Sequence, residues 1–262
     1  MRVARFADRA GVVRWGQVQD DGQARPLRGD LFGPWEFEDQ PVPPARLLAP
    51  LAPANIFAIG RNYAAHVQET GAARPARPLI FMKPTTAVIA PDEAIRLPAS
   101  APEQVDFEAE LAVVIGRTAR RASAAEAEAC VLGFTCANDV TARDCQAGDK
   151  QWSRAKGFDT FCPLGPWLVT PDELDVRHAA IRCRLNGAVM QDAVLGDMIF
   201  GPYELISYLS HQFTLLPGTL ILTGTPEGVG FVRQPPVFLR AGDRVEVEIA
   251  GIGTLANTVA VD

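Results

Sequence analysis

The segment Val105-Asp106-Phe107-Glu108-Ala109-Glu110-Leu111-Ala112-Val113-Val114-Ile115 constrains this chain more than any other stretch. Side chains alternate faces along a strand. On that reading Phe107, Ala109, Leu111, Val113 and Ile115 form one wholly apolar face. Asp106, Glu108 and Glu110 lie on the other, which turns apolar again at Ala112 and Val114. A strand buried on both faces over half its length rarely carries a solvated acidic stripe over the other half. Carboxylates two residues apart on a strand stand about 6.6 Å apart. They repel by roughly 2–3 kcal/mol at an effective dielectric of about 20. A nearby cation reverses that sign, and oxygen-only ligands suit Mg2+, Mn2+ or Ca2+. The competing reading is a strand whose acids simply face water. Asp139, at the exit of the apolar stretch Gly133-Phe134-Thr135-Cys136-Ala137, is a candidate third acid. Spacing alone does not bring it to the glutamates.

The rest of the chain reads as strands and turns. Glycine and proline, 22 and 21 of 262 residues, favour short strands over a helical bundle. Strands are expected at residues 3–6, 11–18, 55–59, 79–83, 107–115, 133–140, 167–170, 181–185, 220–223 and 245–249. Helices are expected at 63–70 with Asn62 as N-cap, at 124–132 and at 202–212, with a helical turn at 142–146. Regular β-α-β alternation is not visible, which argues against a doubly wound sheet. The expected class is therefore mostly β with short helices, an α+β fold. Pro41, Pro43, Pro44, Pro50 and Pro53 break any ladder and place a boundary near residue 50. A small β-rich N-terminal domain, 1–50, would precede a larger domain, 51–262.

Charge and composition exclude several functions. A net charge of −6 and a pI near 5.2 leave no basic footprint for nucleic acid or anionic membrane. No apolar run approaches the ~18 residues of a membrane span, and the first residues lack a signal-peptide stretch. Five cysteines without a Cys-x-x-Cys pair fit a reducing, cytoplasmic setting. The three histidines make a His-rich metal centre untenable. His66 and Glu69 fall three apart in the expected 63–70 helix, hence on one face. A carboxylate beside an imidazole orients the ring and raises its basicity, as a general base requires. An exposed helical ion pair is the alternative. His178, His211, Trp152 and Trp167 carry no motif and read as surface or packing residues, and Cys145 as a core thiol.

Taken together, the segments resemble the fumarylacetoacetate hydrolase family. The matching residues are Ile59-Gly60-Arg61-Asn62-Tyr63-Ala64-Ala65-His66, Phe81-Met82-Lys83-Pro84 and the acidic strand ending in Gly116. They continue with Asn138-Asp139-Val140-Thr141-Ala142-Arg143-Asp144-Cys145-Gln146, with Lys156-Gly157-Phe158-Asp159 onward to Pro166, and with Thr223-Gly224-Thr225-Pro226-Glu227-Gly228-Val229-Gly230. The resemblance runs from about residue 53 to the C-terminus. It implies a mixed β-sandwich roll, a homodimer, and one Mg2+ on Glu108, Glu110 and Asp139, with Mn2+ or Ca2+ as substitutes. It implies a dyad of His66 and Glu69 on a mobile lid, with Lys156 as a third catalytic group. Arg61, Tyr63, Arg143, Gln146 and Thr225 would bind a small 2-oxo acid. The expected reaction is C–C hydrolysis of an acylpyruvate. The alternatives are isomerisation, decarboxylation or tautomerisation of a hydroxy-dienedioate or oxaloacetate, or a metal-stabilised binding module without turnover.

Overall fold

The computed structural model describes residues 1–262 as nineteen strands and five α-helices, so the chain is mostly β as expected. The longest helix, Pro202–Gln212, coincides with its sequence reading. Proline at its start needs no N–H partner, and Leu205, Ile206 and Leu209 recur on one buried face. No helix is long and apolar enough to cross a membrane.

The strand Ala109–Ile115 is buried at every residue. It pairs antiparallel with Val131–Asn138 on one side and Leu220–Leu222 on the other. These strands lie within a twelve-stranded sheet whose ends are Trp35–Phe37 and Leu79–Lys83. Leu111, Val113 and Ile115 enter the larger core together with Ile181, Val247 and Ile249 of a separate five-stranded sheet. Ala112 and Val114 face a second core with Leu164, Leu222, Leu31 and Leu51. Apolar alternation on both faces is thus used on both faces. Each fully buried Leu, Val or Ile contributes about 1.5–3 kcal/mol.

Several boundaries differ from the sequence reading. The acidic strand is not continuous: Val105–Asp106 pairs with Thr141–Ala142, and Phe107 and Glu108 leave the ladder before Ala109. Side chains replace the missing ladder bonds, with Asn138 Oδ1 accepting from Glu108 N–H and Gln191 Oε1 from Ala109 N–H. The helix expected at 124–132 ends at Glu128, because Val131 starts the strand beside the acidic one. The strand expected at 167–170 spans Cys162–Val169, prolines 163 and 166 included. Arg2–Ala7 pairs with Cys162–Val169, so the first fifty residues continue the main sheet and supply Leu31 to its second core.

Candidate active site

The antiparallel register builds the site. Ala109 stands opposite Asn138, and Asp139 N–H donates to Glu108 O at 2.9 Å. The register brings Asp139 to the glutamates, which its distance along the sequence could not show. Carboxylate oxygens of Glu108, Glu110 and Asp139 all lie within 4.8 Å of one another, and all three residues are buried. Three buried cations surround them. Lys156 Nζ donates to Glu108 Oε2 at 2.8 Å and to Asp139 Oδ2 at 2.7 Å. Lys83 Nζ donates to Asp139 Oδ1. Arg143 donates to Glu108 Oε1 and to Asp106 Oδ1, each at 2.7 Å.

The electrostatics divide the carboxylates. Burial alone would raise Glu108, but Lys156 and Arg143 outweigh it and hold the carboxyl at about 2. Lys156 stays protonated because Asp139 and Glu108 overcome its desolvation. Glu110 lacks a direct contact with either cation. Burial, then Asp139 and Glu108, push it well above the carboxylate range, and the charge of Lys156 and one N–H, from Gly224 at 2.7 Å, offset this only in part. A buried, under-compensated carboxylate among two others is the donor set of a hard divalent cation. The residues present therefore fit one ion of the Mg2+, Mn2+ or Ca2+ type.

A cavity of about 590 Å3 meets this cluster at Glu108 and is also lined by His66, Arg143, Lys156 and Thr225 among others. His66 Nδ1 and Glu69 Oε1 stand 2.7 Å apart. Glu69 Oε2 accepts from Gly228 N–H at 2.9 Å, so the carboxylate is fixed from both sides. The structure brings together His66, Glu69, Lys156, Arg143, Gln146 and the three acids, and it places Arg61 at the cavity mouth. The Thr225 hydroxyl is already engaged, donating to Ala109 O and accepting from Gln191. Tyr63 does not line the cavity. It is buried at the head of the Ala64–Glu69 helix, as its N-cap, with a hydroxyl that has no partner. Asn62, expected as that cap, instead bonds Phe200 and Thr223 across the fold.

Other residues of the cavity and its charged cluster escaped the sequence reading. Trp152, taken for packing, lines the cavity, and so does Phe231, whose ring lies 4.3 Å from the Arg143 guanidinium. Lys83 had a signal: a lone lysine ending an otherwise apolar strand requires a buried acid. Asp106 had one too, as the third member of the acidic stripe. It orients Arg143 and accepts from Phe231 N–H.

Residues 55–260 match the family described as fumarylacetoacetate (FAA) hydrolase C-terminal, and residues 1–50 match one described as Rv2993c-like, N-terminal. The chain belongs to the fumarylacetoacetate hydrolase family. Family members are enzymes, hydrolases, isomerases and tautomerases among them, and this chain is one of them. It is 48% identical to the bovine mitochondrial oxaloacetate tautomerase FAHD2A, over 81% of this chain and 68% of that protein. A crystal structure of 5-carboxymethyl-2-hydroxymuconate delta-isomerase from Mycobacterium smegmatis is 44% identical, with TM-score 0.89 and 100% of both chains covered. Maleylpyruvate hydrolase from Sphingobium, solved with manganese(II) and pyruvate, is 28% identical with TM-score 0.80, covering 100% of this chain and 99% of that one.

Proposed function

We propose that this protein is a divalent-metal-dependent enzyme that moves a proton at the carbon next to the keto group of a 2-oxo acid. Keto–enol conversion or double-bond isomerisation is the leading form. One observation carries this reading: Glu108 of the three-carboxylate cluster and His66 of the His66–Glu69 pair line a single cavity. A divalent ion on Glu108, Glu110 and Asp139 would polarise the 2-oxo acid's carboxylate and keto oxygens. His66 Nε2 takes the proton from C3 and returns it to the enolate oxygen in keto–enol conversion, or to a further carbon of the chain in isomerisation, each step running in reverse as well. Glu69, fixed by Gly228, steadies the imidazolium through Nδ1–H. Lys156 supplies positive charge near the developing oxyanion.

The sequence reading favoured C–C hydrolysis of an acylpyruvate. The tautomerase and isomerase relatives stand closer in identity than the hydrolase, and they move the preference to proton transfer. Hydrolysis remains the second reading, because the same His66–Glu69 pair can deprotonate water for attack at C4. The proposal includes Mg2+ as the resident ion, with Mn2+ as a substitute, and a cytoplasmic homodimer.

The test is enol-to-keto conversion of oxaloacetate, and cleavage of an acylpyruvate, with Mg2+ or Mn2+ and with chelator. Metal-dependent turnover is expected, and His66→Ala should reduce it by about 10²–10⁴, with pyruvate affinity changed only a few-fold. Unchanged rates in chelator, or an unaffected His66→Ala, would overturn the assignment.

A further inference from the structure

Gln191 is the one buried residue of the strand Ala188–Val194, which forms an edge of the five-stranded sheet. Every hydrogen-bonding group of its amide is used. Oε1 accepts from Ala109 N–H at 2.9 Å, and Nε2 donates to Thr225 Oγ1 and to Pro226 O, each at 2.8 Å. The single hydrogen of the Thr225 hydroxyl goes to Ala109 O at 2.9 Å. The Gln191 amide and the Thr225 hydroxyl thus close a ring of hydrogen bonds that starts and ends on Ala109. All three residues are buried. The amide fits only one way round, because turning it would set donor against donor at Ala109 and acceptor against acceptor at Pro226.

The ring sits where the acidic cluster is built. Ala109 lies between Glu108 and Glu110, at the start of the ladder. Thr225 and Pro226 belong to a loop that touches two functional carboxylates. Its Gly224 N–H donates to Glu110 Oε2 at 2.7 Å, and its Gly228 N–H donates to Glu69 Oε2 at 2.9 Å. The same loop seats against the residue beside Gln191. Met190 O accepts from Arg233 Nη2, and a Cβ at Gly228 would stand 2.2 Å from Met190 O. Gly228 has φ 96°, so glycine meets both the turn and the close approach. One edge strand of the second sheet therefore holds the backbone between the glutamates and the loop that braces Glu110 and Glu69.

We propose that Gln191 is a positioning residue for the metal cluster, fixing Glu108 and Glu110 relative to each other through Ala109 and Thr225. This rests on the reading above, in which the three acids hold one divalent ion. Gln191 touches neither the ion's ligand atoms nor the cavity, and acts through the backbone that carries the ligands. Groups that orient metal ligands from behind change metal affinity about 10–100-fold when they are lost.

The test is calorimetric titration of Mn2+ into metal-free protein at fixed pH. Gln191→Met, similar in size but without the amide, should weaken Mn2+ binding about 10–100-fold. Thr225→Val should weaken it comparably, and Thr225→Ser, which keeps the hydroxyl, should bind Mn2+ close to the wild type. The double variant Gln191→Met, Thr225→Val should lose no more than the weaker-binding single, because members of one network are not additive. Asn257 supplies the control: its buried amide donates to Ala90 O and Glu93 O, away from the cluster. Asn257→Ala should lower stability to urea in chelator and leave Mn2+ affinity close to the wild type. Unchanged Mn2+ affinity in Gln191→Met, losses that add in the double variant, or an equal loss in Asn257→Ala would overturn the proposal. If Gln191→Met does not fold, Thr225→Val against Thr225→Ser decides the question, and equal affinities overturn it. If the wild type binds no Mn2+, the metal reading itself fails and this inference with it.

Discussion

Glu110 is where the acidic cluster is least balanced, and it gives the sharpest predictions at the residue scale. Its carboxyl is raised by burial and by Asp139 and Glu108. A carboxyl raised in the folded state contributes stability that is present at low pH and lost as pH rises. In chelator, wild-type stability to urea should therefore fall as pH rises above the ordinary carboxylate range, and Glu110→Gln should flatten that slope. Saturating Mn2+ should reverse the ordering. Metal at a hundredfold its dissociation constant stabilises a protein by about 2.7 kcal/mol, and the gain should vanish in Glu110→Gln. Unfolding curves at several pH values, with and without Mn2+, check both. The cysteines give an independent prediction. Burial raises the thiols of Cys136, Cys162 and Cys183, that of Cys162 to about 12, whereas Cys130 is half-buried. A raised thiol holds less thiolate at a given pH, and thiolate is the reactive form. A disulfide reagent at pH ~8 should titrate Cys130 in the native protein and all five thiols after denaturation.

At the element scale the short helix Ala64–Glu69 carries the proposed base yet is only six residues long. Helices of that length do not persist on their own in water. This one is held by the Glu69–Gly228 hydrogen bond, by Asn62 and by the bridge of Tyr63 to Met198. The proposed lid then consists of two segments, the helix and the turn at Gly228, joined by one carboxylate. Amides from Val67 to Ala72 should exchange faster than those of Ala109–Ile115, and at least tenfold more slowly once Mn2+ and pyruvate are added. Glu69→Ala should speed exchange in the helix and at Gly228 together. Exchange that is independent of ligand, or a change confined to the helix, would sink the two-part lid. Mass-spectrometric hydrogen exchange reads both segments.

For the whole molecule, the main sheet stops at Leu79–Lys83, whose outer side has no neighbouring strand. Met82 of that edge strand is 45% exposed, and Phe213, stacked on Phe57 of the next strand, is 46% exposed. An open edge beside exposed apolar side chains invites pairing with another chain. In the proposed homodimer this edge would be covered by a second copy. Sedimentation should show a dimer for the wild type, and Met82→Asp should give monomer with near-normal Mn2+ affinity. A monomeric wild type, or a dimer that Met82→Asp leaves intact, would place the contact elsewhere or remove it.

Local physics made much of this legible before any coordinates. The apolar alternation of Leu111 to Ile115 required burial on both faces, and two cores meet there. Proline at the start and apolar spacing along its face set the Pro202–Gln212 helix. The three-residue spacing of His66 and Glu69 set their contact. Each of these depends on neighbours within a turn or a strand. What depends on distant chain was not legible. At the ladder break before Ala109, the side chains of Asn138 and Gln191 accept from the Glu108 and Ala109 amides. Lys83 meets Asp139 across 56 residues, and Asn62 leaves its cap for partners more than 130 residues away. Trp152 became a cavity wall only because Gly60 leaves room for its ring. Periodicity and capping are local energies written into adjacent residues, whereas register, buried charge pairing and cavity shape are fixed only when strands far apart in the chain pack together.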